Sequence, residues 1–182
     1  MSNNPLIRKV LSKKIATVMK NASCVTAGNN YLIDKAKSSG AERVEWIPTV
    51  VDKLRYKVDL DQKHKVKTIG WIGSPSTQKY ILDIKEALLN MSKEHSIRLL
   101  LIGAHQDIVN QLPNIDIEVV SWSEDTEAEY IRQMDIGIMP LKDGPWEKGK
   151  CGYKLIQYMA SGVPIVASPI GVNVDIVKAS NS

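Results

Sequence analysis

The sequence predicts a doubly wound α/β domain, in which helices cover both faces of a parallel sheet. Three observations carry that prediction. Strand-like apolar runs recur at residues 67–72, 97–102, 117–120, 136–139 and 163–167. Helical patterns lie between them, at residues 77–95, more weakly at 106–111, and again at 126–133 and 153–161. The strand runs are too continuously apolar to leave one face in water, as expected of parallel strands buried on both sides. The longest helical pattern places Tyr80, Ile84, Ala87, Leu88 and Met91 on one stripe.

The earlier part of the chain is organised differently. Across residues 6–19, Leu6, Val10, Leu11, Ile15, Val18 and Met19 recur at helical steps, opposite a basic face of Arg8, Lys9, Lys13 and Lys14. That face is either simply solvated or able to touch acidic lipid headgroups. Residues 23–27 form a short strand, Asn29 or Asn30 caps a helix over 31–38, Gly40 stops it, and 44–47 form another strand ended by Pro48. The following polar stretch lacks either period and reads as a linker. The expected organisation is a leading unit over residues 1–50, a linker over 51–65 and the α/β domain over 66–182.

Composition narrows the functional classes. Of 182 residues, 43% are apolar, enough for an ordinary core, and the net charge of +4 is too small by itself to argue for nucleic acid. The same charge suits anionic small molecules or an anionic membrane surface. Cys24 and Cys151 belong to no paired framework and read as two reduced thiols. No apolar run approaches the roughly 20 residues that span a bilayer, and no secretory signal opens the chain. A cytoplasmic protein, with peripheral membrane contact open to it, is the expectation.

Ligands of doubly wound sheets bind outside the carboxyl ends of the strands, so the segments after the strands hold the candidate residues. After the first, Gly73 permits close backbone approach, Ser74 and Ser76 offer hydroxyls, and Lys79 falls in the first helical turn. After the third, Trp122 stands between Ser121 and Ser123, where it either packs on a base or caps the core. After the fourth, the long loop PLKDGPWEKGKCG combines Asp143, Trp146, Glu147, Lys148 and Lys150 with three glycines. Carboxylates there suit sugar hydroxyls, while lysines and amides suit phosphate.

The densest signal is GKCGYKLIQYMASGVPIVASPIG, residues 149–171. It reads as a glycine-punctuated loop, an amphipathic helix, a Gly-Val-Pro turn and a short strand. Free N–H groups of Cys151, Gly152 and Tyr153 at a helix start suit an anion such as a diphosphate, and Lys148, Lys150 and Lys154 add positive charge. Lys154 and Gln157 share a helix face near that start, and a glutamine amide suits a ribose diol. The chain has no P-loop or G-x-G-x-x-G spacing, no zinc spacing and no nucleophile elbow, and its three histidines are too scattered for a metal. His105, after the second strand, has no partner in sequence for acid–base work.

These residues resemble a known family. DIGIMPL followed by KLIQYMASGVPIVAS is similar to the donor-loop strand and helix–turn–strand signature of the retaining glycosyltransferases of family 4, in the carboxyl-terminal lobe of the GT-B fold. Upstream, NASCVTAGNNYLIDKAKSSGAERVEWIPTVVD resembles the end of the amino-terminal lobe and the interlobe crossing. The resemblance implies a Rossmann-like donor lobe preceded by the tail of its companion and truncated at the carboxyl end. It implies no cofactor and no metal, a UDP- or GDP-sugar as substrate, transfer with retention, and a glycan or lipid-linked acceptor held by an amino-terminal lobe. Polysaccharide biosynthesis is the family's habit.

On that basis Lys79, Lys150 and Lys154 stabilise the leaving diphosphate. Gly73, Ser74, Ser121, Trp122, Glu147, Cys151, Gly152, Tyr153 and Gln157 bind the rest of the donor. Two departures stand out. The family's usual pair of glutamates is here Gly149 and Gln157, leaving Glu147 or Asp143 as substitutes for the sugar contact. Trp71 stands near the family's arginine, and Lys79 is offset from its lysine. The alternative reading is a non-catalytic nucleotide-binding or assembly module derived from such a lobe. A sugar-nucleotide epimerase is weaker, since its acid–base residues are not evident.

Overall fold

The computed structural model of the chain describes residues 5–58 and 66–180, with side chains from residue 13 onward. The leading unit runs through α1 (Pro5–Asn21), β1 (Val25–Ala27), α2 (Asn30–Ser38) and β2 (Val44–Trp46). Asn29 supplies the α2 cap, accepting the Leu32 amide at 2.9 Å. The strands β1 and β2 pair in parallel, Val25 beside Val44, with α2 as their crossover. The α1 stripe is not fully covered: Ile15 and Val18 are exposed, as are Lys13 and Lys14. The side chains of Leu6, Arg8, Lys9, Val10 and Leu11 lie outside those described.

The second unit alternates as the sequence predicts. Its strands are β3 (Lys67–Ile72), β4 (Ile97–Ile102), β5 (Asp116–Val120), β6 (Ile136–Met139) and β7 (Ile165–Ala167). Its helices are α3 (Lys79–Asp83), α4 (Lys85–Glu94), α5 (Ile108–Gln111), α6 (Glu127–Arg132), α7 (Pro145–Lys148), α8 (Tyr153–Ala160) and α9 (Asn173–Ala179). The strands form one parallel sheet in the order β5-β4-β3-β6-β7. Alternate residues supply two separate cores. Leu100 and Ile102 of β4 join Leu155 and Tyr158 on one face, while Leu99 and Leu101 join Ile81 and Leu88 on the other.

Two local differences from the sequence expectation matter for the site. The helix expected over 77–95 breaks at Ile84, whose ψ of 17° departs from helical geometry. Tyr80 of α3 meets the loop after β6, while Ile81 of α3 and Leu88 of α4 pack in one core. The loop after β6 contains a helical turn, α7, which Pro145 starts by fixing its first backbone angle.

Strand order reverses between β3 and β6. Only Ile69–Ile136 and Gly70–Gly137 pair there, and the strands then part toward their carboxyl ends. Tyr158 of α8, fully buried, bridges the parting: its hydroxyl accepts the Ile72 amide at 3.1 Å and donates to the Ile138 carbonyl at 3.4 Å. Burial holds the Tyr158 phenol well above the ordinary tyrosine range, so it stays neutral. The crevice above this point is where a doubly wound sheet takes its ligand. Part of the expected linker faces it, since Tyr56 is buried in the core beneath α8.

Candidate functional site

A cleft of about 540 Å³ opens above the parting of β3 and β6. Gly73, Ser74 and Thr77 wall one side, and Lys150, Tyr153, Lys154 and Gln157 wall the other. Trp122, Glu127 and Arg55 close one end. Three loops that follow strands converge there because a side chain is missing where they touch. A Cβ on Gly103, whose φ is +77°, would lie 2.4 Å from the Gly73 carbonyl oxygen and 3.2 Å from Trp122.

The lysine wall is built by α8. Gly152 precedes the helix with a φ of +70°, a left-handed turn that favours glycine and leads directly into the first residue of α8. Lys154 then sits with its Nζ 4.6 Å from the centroid of the buried Trp71 ring. Burial, and secondly repulsion from Lys150, bring its pKa down to about 7. Among the described residues no carboxylate pairs with Lys154. A half-buried cation that has another cation nearby and no counterion is electrostatically suited to an anionic ligand.

A second cluster holds the remaining lysines. Lys79 and Lys150 place their Nζ atoms 5.3 and 5.8 Å from the Tyr80 ring centroid. The Tyr80 hydroxyl donates to the buried carboxylate of Glu147. That hydrogen bond is the main reason the Glu147 carboxyl lies below its usual range. Burial and the same contact push the Tyr80 phenol up to about 12. Glu147 thus faces Tyr80 and is not part of the cleft wall; Lys79 likewise lies beside the wall rather than in it.

The other end is a chain of buried polar contacts. The Gln157 amide nitrogen donates to the Tyr56 hydroxyl at 2.7 Å, which donates to Glu127 at 2.7 Å. The Glu127 carboxylate also accepts the Trp122 indole N–H and pairs with the Arg55 guanidinium at 2.9 Å. Trp122 is pinned by its edge while 54% of its surface stays exposed. The structure therefore brings together Gly73, Ser74, Trp122, Lys150, Tyr153, Lys154 and Gln157. Ser121 is exposed outside the cleft, and Cys151 and Gly152 are not among the residues that line it.

A family model described as "Glycosyl transferases group 1" matches residues 66–181. The chain belongs to the group 1 glycosyl transferases. Among curated proteins it is 25% identical over 179 residues to a Bacillus subtilis (strain 168) protein described as "Putative teichuronic acid biosynthesis glycosyltransferase TuaH", covering 88% of this chain and 44% of that one. Among solved structures, Anabaena Alr3699/HepE in complex with UDP and glucose has a TM-score of 0.69 at 18% identity, covering 97% of this chain and 54% of that one. An S. aureus TarM variant solved with Fondaparinux, alpha-GlcNAc-glycerol and UDP has a TM-score of 0.64 at 13% identity, covering 90% and 34%. The fold is thus that of the GT-B glycosyltransferases, and this group 1 chain spans about half or less of the length of these relatives.

Sequence reasoning missed Arg55, Tyr56 and Glu127. The first two lie in a stretch without period, and Glu127 reads as an ordinary acidic residue in a first helical turn. Gly149 is set apart from the cleft: a Cβ there would stand 3.6 Å from Leu32 of α2. Among the described residues, no group of three or more His, Cys, Asp or Glu converges as metal ligands would. No described helix is long and apolar enough to cross a membrane.

Proposed function

We propose that the cleft binds the nucleoside diphosphate of a UDP- or GDP-sugar, and that the sugar is transferred with retention to a glycan or lipid-linked acceptor. The observation that carries this reading is Lys154, a cation that no carboxylate among the described residues pairs with, beside Lys150 in the wall of the cleft. Negative charge grows on the diphosphate as the glycosidic bond breaks. Fixed N–H groups and lysines in a partly dry site therefore stabilise the transition state more than the ground state. Lys79, beside Tyr80, reinforces the field from the edge of the cleft.

The remaining roles follow from placement. The exposed ring of Trp122, held by Glu127, offers a stacking platform for the base. With its nitrogen committed to Tyr56, Gln157 has its amide oxygen left to accept from a ribose hydroxyl. Ser74, Tyr153 and the amides of Cys151 and Gly152 complete the donor contacts. Acceptor binding falls to an amino-terminal lobe, of which residues 1–50 form the tail, with peripheral membrane contact through α1.

Calorimetric titration of the chain with UDP, GDP and inorganic phosphate tests the reading. Selective binding of one nucleoside diphosphate, tighter than phosphate, is expected and names the base. A folded chain that binds neither nucleotide overturns the assignment and favours an assembly module.

A further inference from the structure

Asn29 belongs to the leading β1-α2-β2 unit, yet its side chain reaches the loop that carries Lys150. It is 5% exposed. Its amide oxygen accepts the Leu32 amide and so caps α2. Its amide nitrogen donates to the carbonyl of Lys150 at 2.8 Å and to that of Lys148 at 3.2 Å. One NH₂ group thereby reaches the carbonyls of the two residues that flank Gly149, and it also lies 3.8 Å from Cys151 Sγ. Gly149 has no side chain of its own to anchor it.

We propose that Asn29 is a positioning residue for the diphosphate site, holding the Lys148–Gly149–Lys150 backbone so that Lys150 and the Cys151 amide face the cleft. The inference rests on the cleft being the donor site. Two further contacts lie on the same side: a Cβ on Gly28 would come within 2.6 Å of Cys151 Sγ, and Leu32 lies beside Gly149. The leading unit thus grips successive residues of the loop from one side. Across the loop, Gly171 approaches the Lys148 backbone and Ile176 of α9 packs on Gly152. The loop is held between two walls, and Asn29 supplies the hydrogen bonds of the first.

Capping alone does not require asparagine. Aspartate and serine cap a helix about as well, because capping uses only an accepting oxygen. Neither has an NH₂ group that could donate to two carbonyls while its oxygen caps the helix. Asn29→Asp also sets a carboxylate oxygen against those carbonyls, whereas Asn29→Ser leaves them unpaired. These two variants separate the roles without removing the cap.

The test compares the whole wild-type chain with both variants, by hydrogen exchange of the 148–153 amides and by titration with UDP and GDP. Faster exchange confined to that segment, with at least about fivefold weaker nucleotide binding and an α2 that stays protected, is expected. Unchanged exchange in the segment overturns the inference. So does unchanged affinity in both variants when the wild-type chain binds. A folded wild-type chain that binds neither nucleotide overturns the donor-site assignment itself, and the inference with it.

Discussion

Gln157 donates its side-chain amide to the hydroxyl of Tyr56 across 2.7 Å, and the single proton of that hydroxyl is already directed to Glu127. Residue 157 must therefore be a donor. An ionised glutamate there would face a lone pair, with a second carboxylate on the far side of the same hydroxyl. This gives a physical reason for glutamine rather than glutamate at position 157: the buried acid of this cluster is Glu127, supplied by α6.

Gln157→Glu is accordingly expected to destabilise the fold by about 1–3 kcal/mol at pH 8, the usual cost of a buried polar group left without its partner. The new carboxyl is buried beside Glu127, so its folded-state pKa lies above its unfolded value of about 4.3. The penalty is then absent below the unfolded pKa and grows as pH rises through the folded one. Urea denaturation at pH 5 and pH 8 checks this. A loss equal at both pH values would refute the proton arrangement.

Lys154 invites the opposite trade. Its folded pKa of about 7 lies below the unfolded value of about 10.4. Between those values the unfolded chain binds more protons, so the stability of the free protein rises with pH across that window. Lys154→Met is expected to raise Tm at pH 6.5, with roughly 2–4 °C for each kcal/mol recovered, while weakening nucleotide binding. The Tm gain should shrink toward pH 10. In the wild-type chain a bound diphosphate favours the charged amine, so binding at pH 8 takes up protons, measurable by titration in buffers of different ionisation enthalpy. Tight binding by Lys154→Met would remove the lysine from its assigned role.

Much of this arrangement was legible in the sequence, and what was not has identifiable causes. The strands at 67–72, 97–102 and 136–139 match the structure residue for residue, because a continuous apolar run bounded by glycine or proline admits few other readings. The loop after β6 draws notice in the sequence through its glycines and lysines, and Lys150 of that loop lines the cleft. Arg55 and Tyr56 escaped because a lone aromatic in a charged stretch has no period to announce its burial. Glu147 reads in sequence as a carboxylate for sugar hydroxyls, because nothing in the helical pattern around Tyr80 marks that its hydroxyl meets Glu147.

The Tyr80–Glu147 contact should be visible in pH-dependent stability. The hydroxyl of Tyr80 holds the Glu147 carboxyl below its ordinary range, so the contact contributes stability above the unfolded pKa and loses it as pH falls through the folded one. Tyr80→Phe removes the donor and leaves a buried carboxylate. The expected loss is about 1.5–3 kcal/mol at pH 7, typical of hydrogen bonds to charged groups, shrinking toward pH 3. Denaturation midpoints of the two proteins across that range decide it; a constant difference would mean that only packing was lost.

The contact between the leading unit and the donor loop can be tested by volume alone. Gly28 has an unremarkable φ, so alanine suits its backbone, but the added methyl would meet Cys151 Sγ at 2.6 Å and Cβ at 3.3 Å. Overpacking of this kind costs about 1–3 kcal/mol. Cys151→Ala removes the sulfur and leaves the 3.3 Å approach, which a few tenths of an ångström relieve. Gly28→Ala should therefore destabilise the chain and weaken nucleotide binding, and Gly28→Ala with Cys151→Ala should recover most of both. The coupling between the two substitutions, read from a double-mutant cycle in urea, is expected at about 0.5–3 kcal/mol, as for residues in contact. Simple additivity would mean that the leading unit does not press on the loop, and that the geometry of Lys150 is set by α8 and α9 alone.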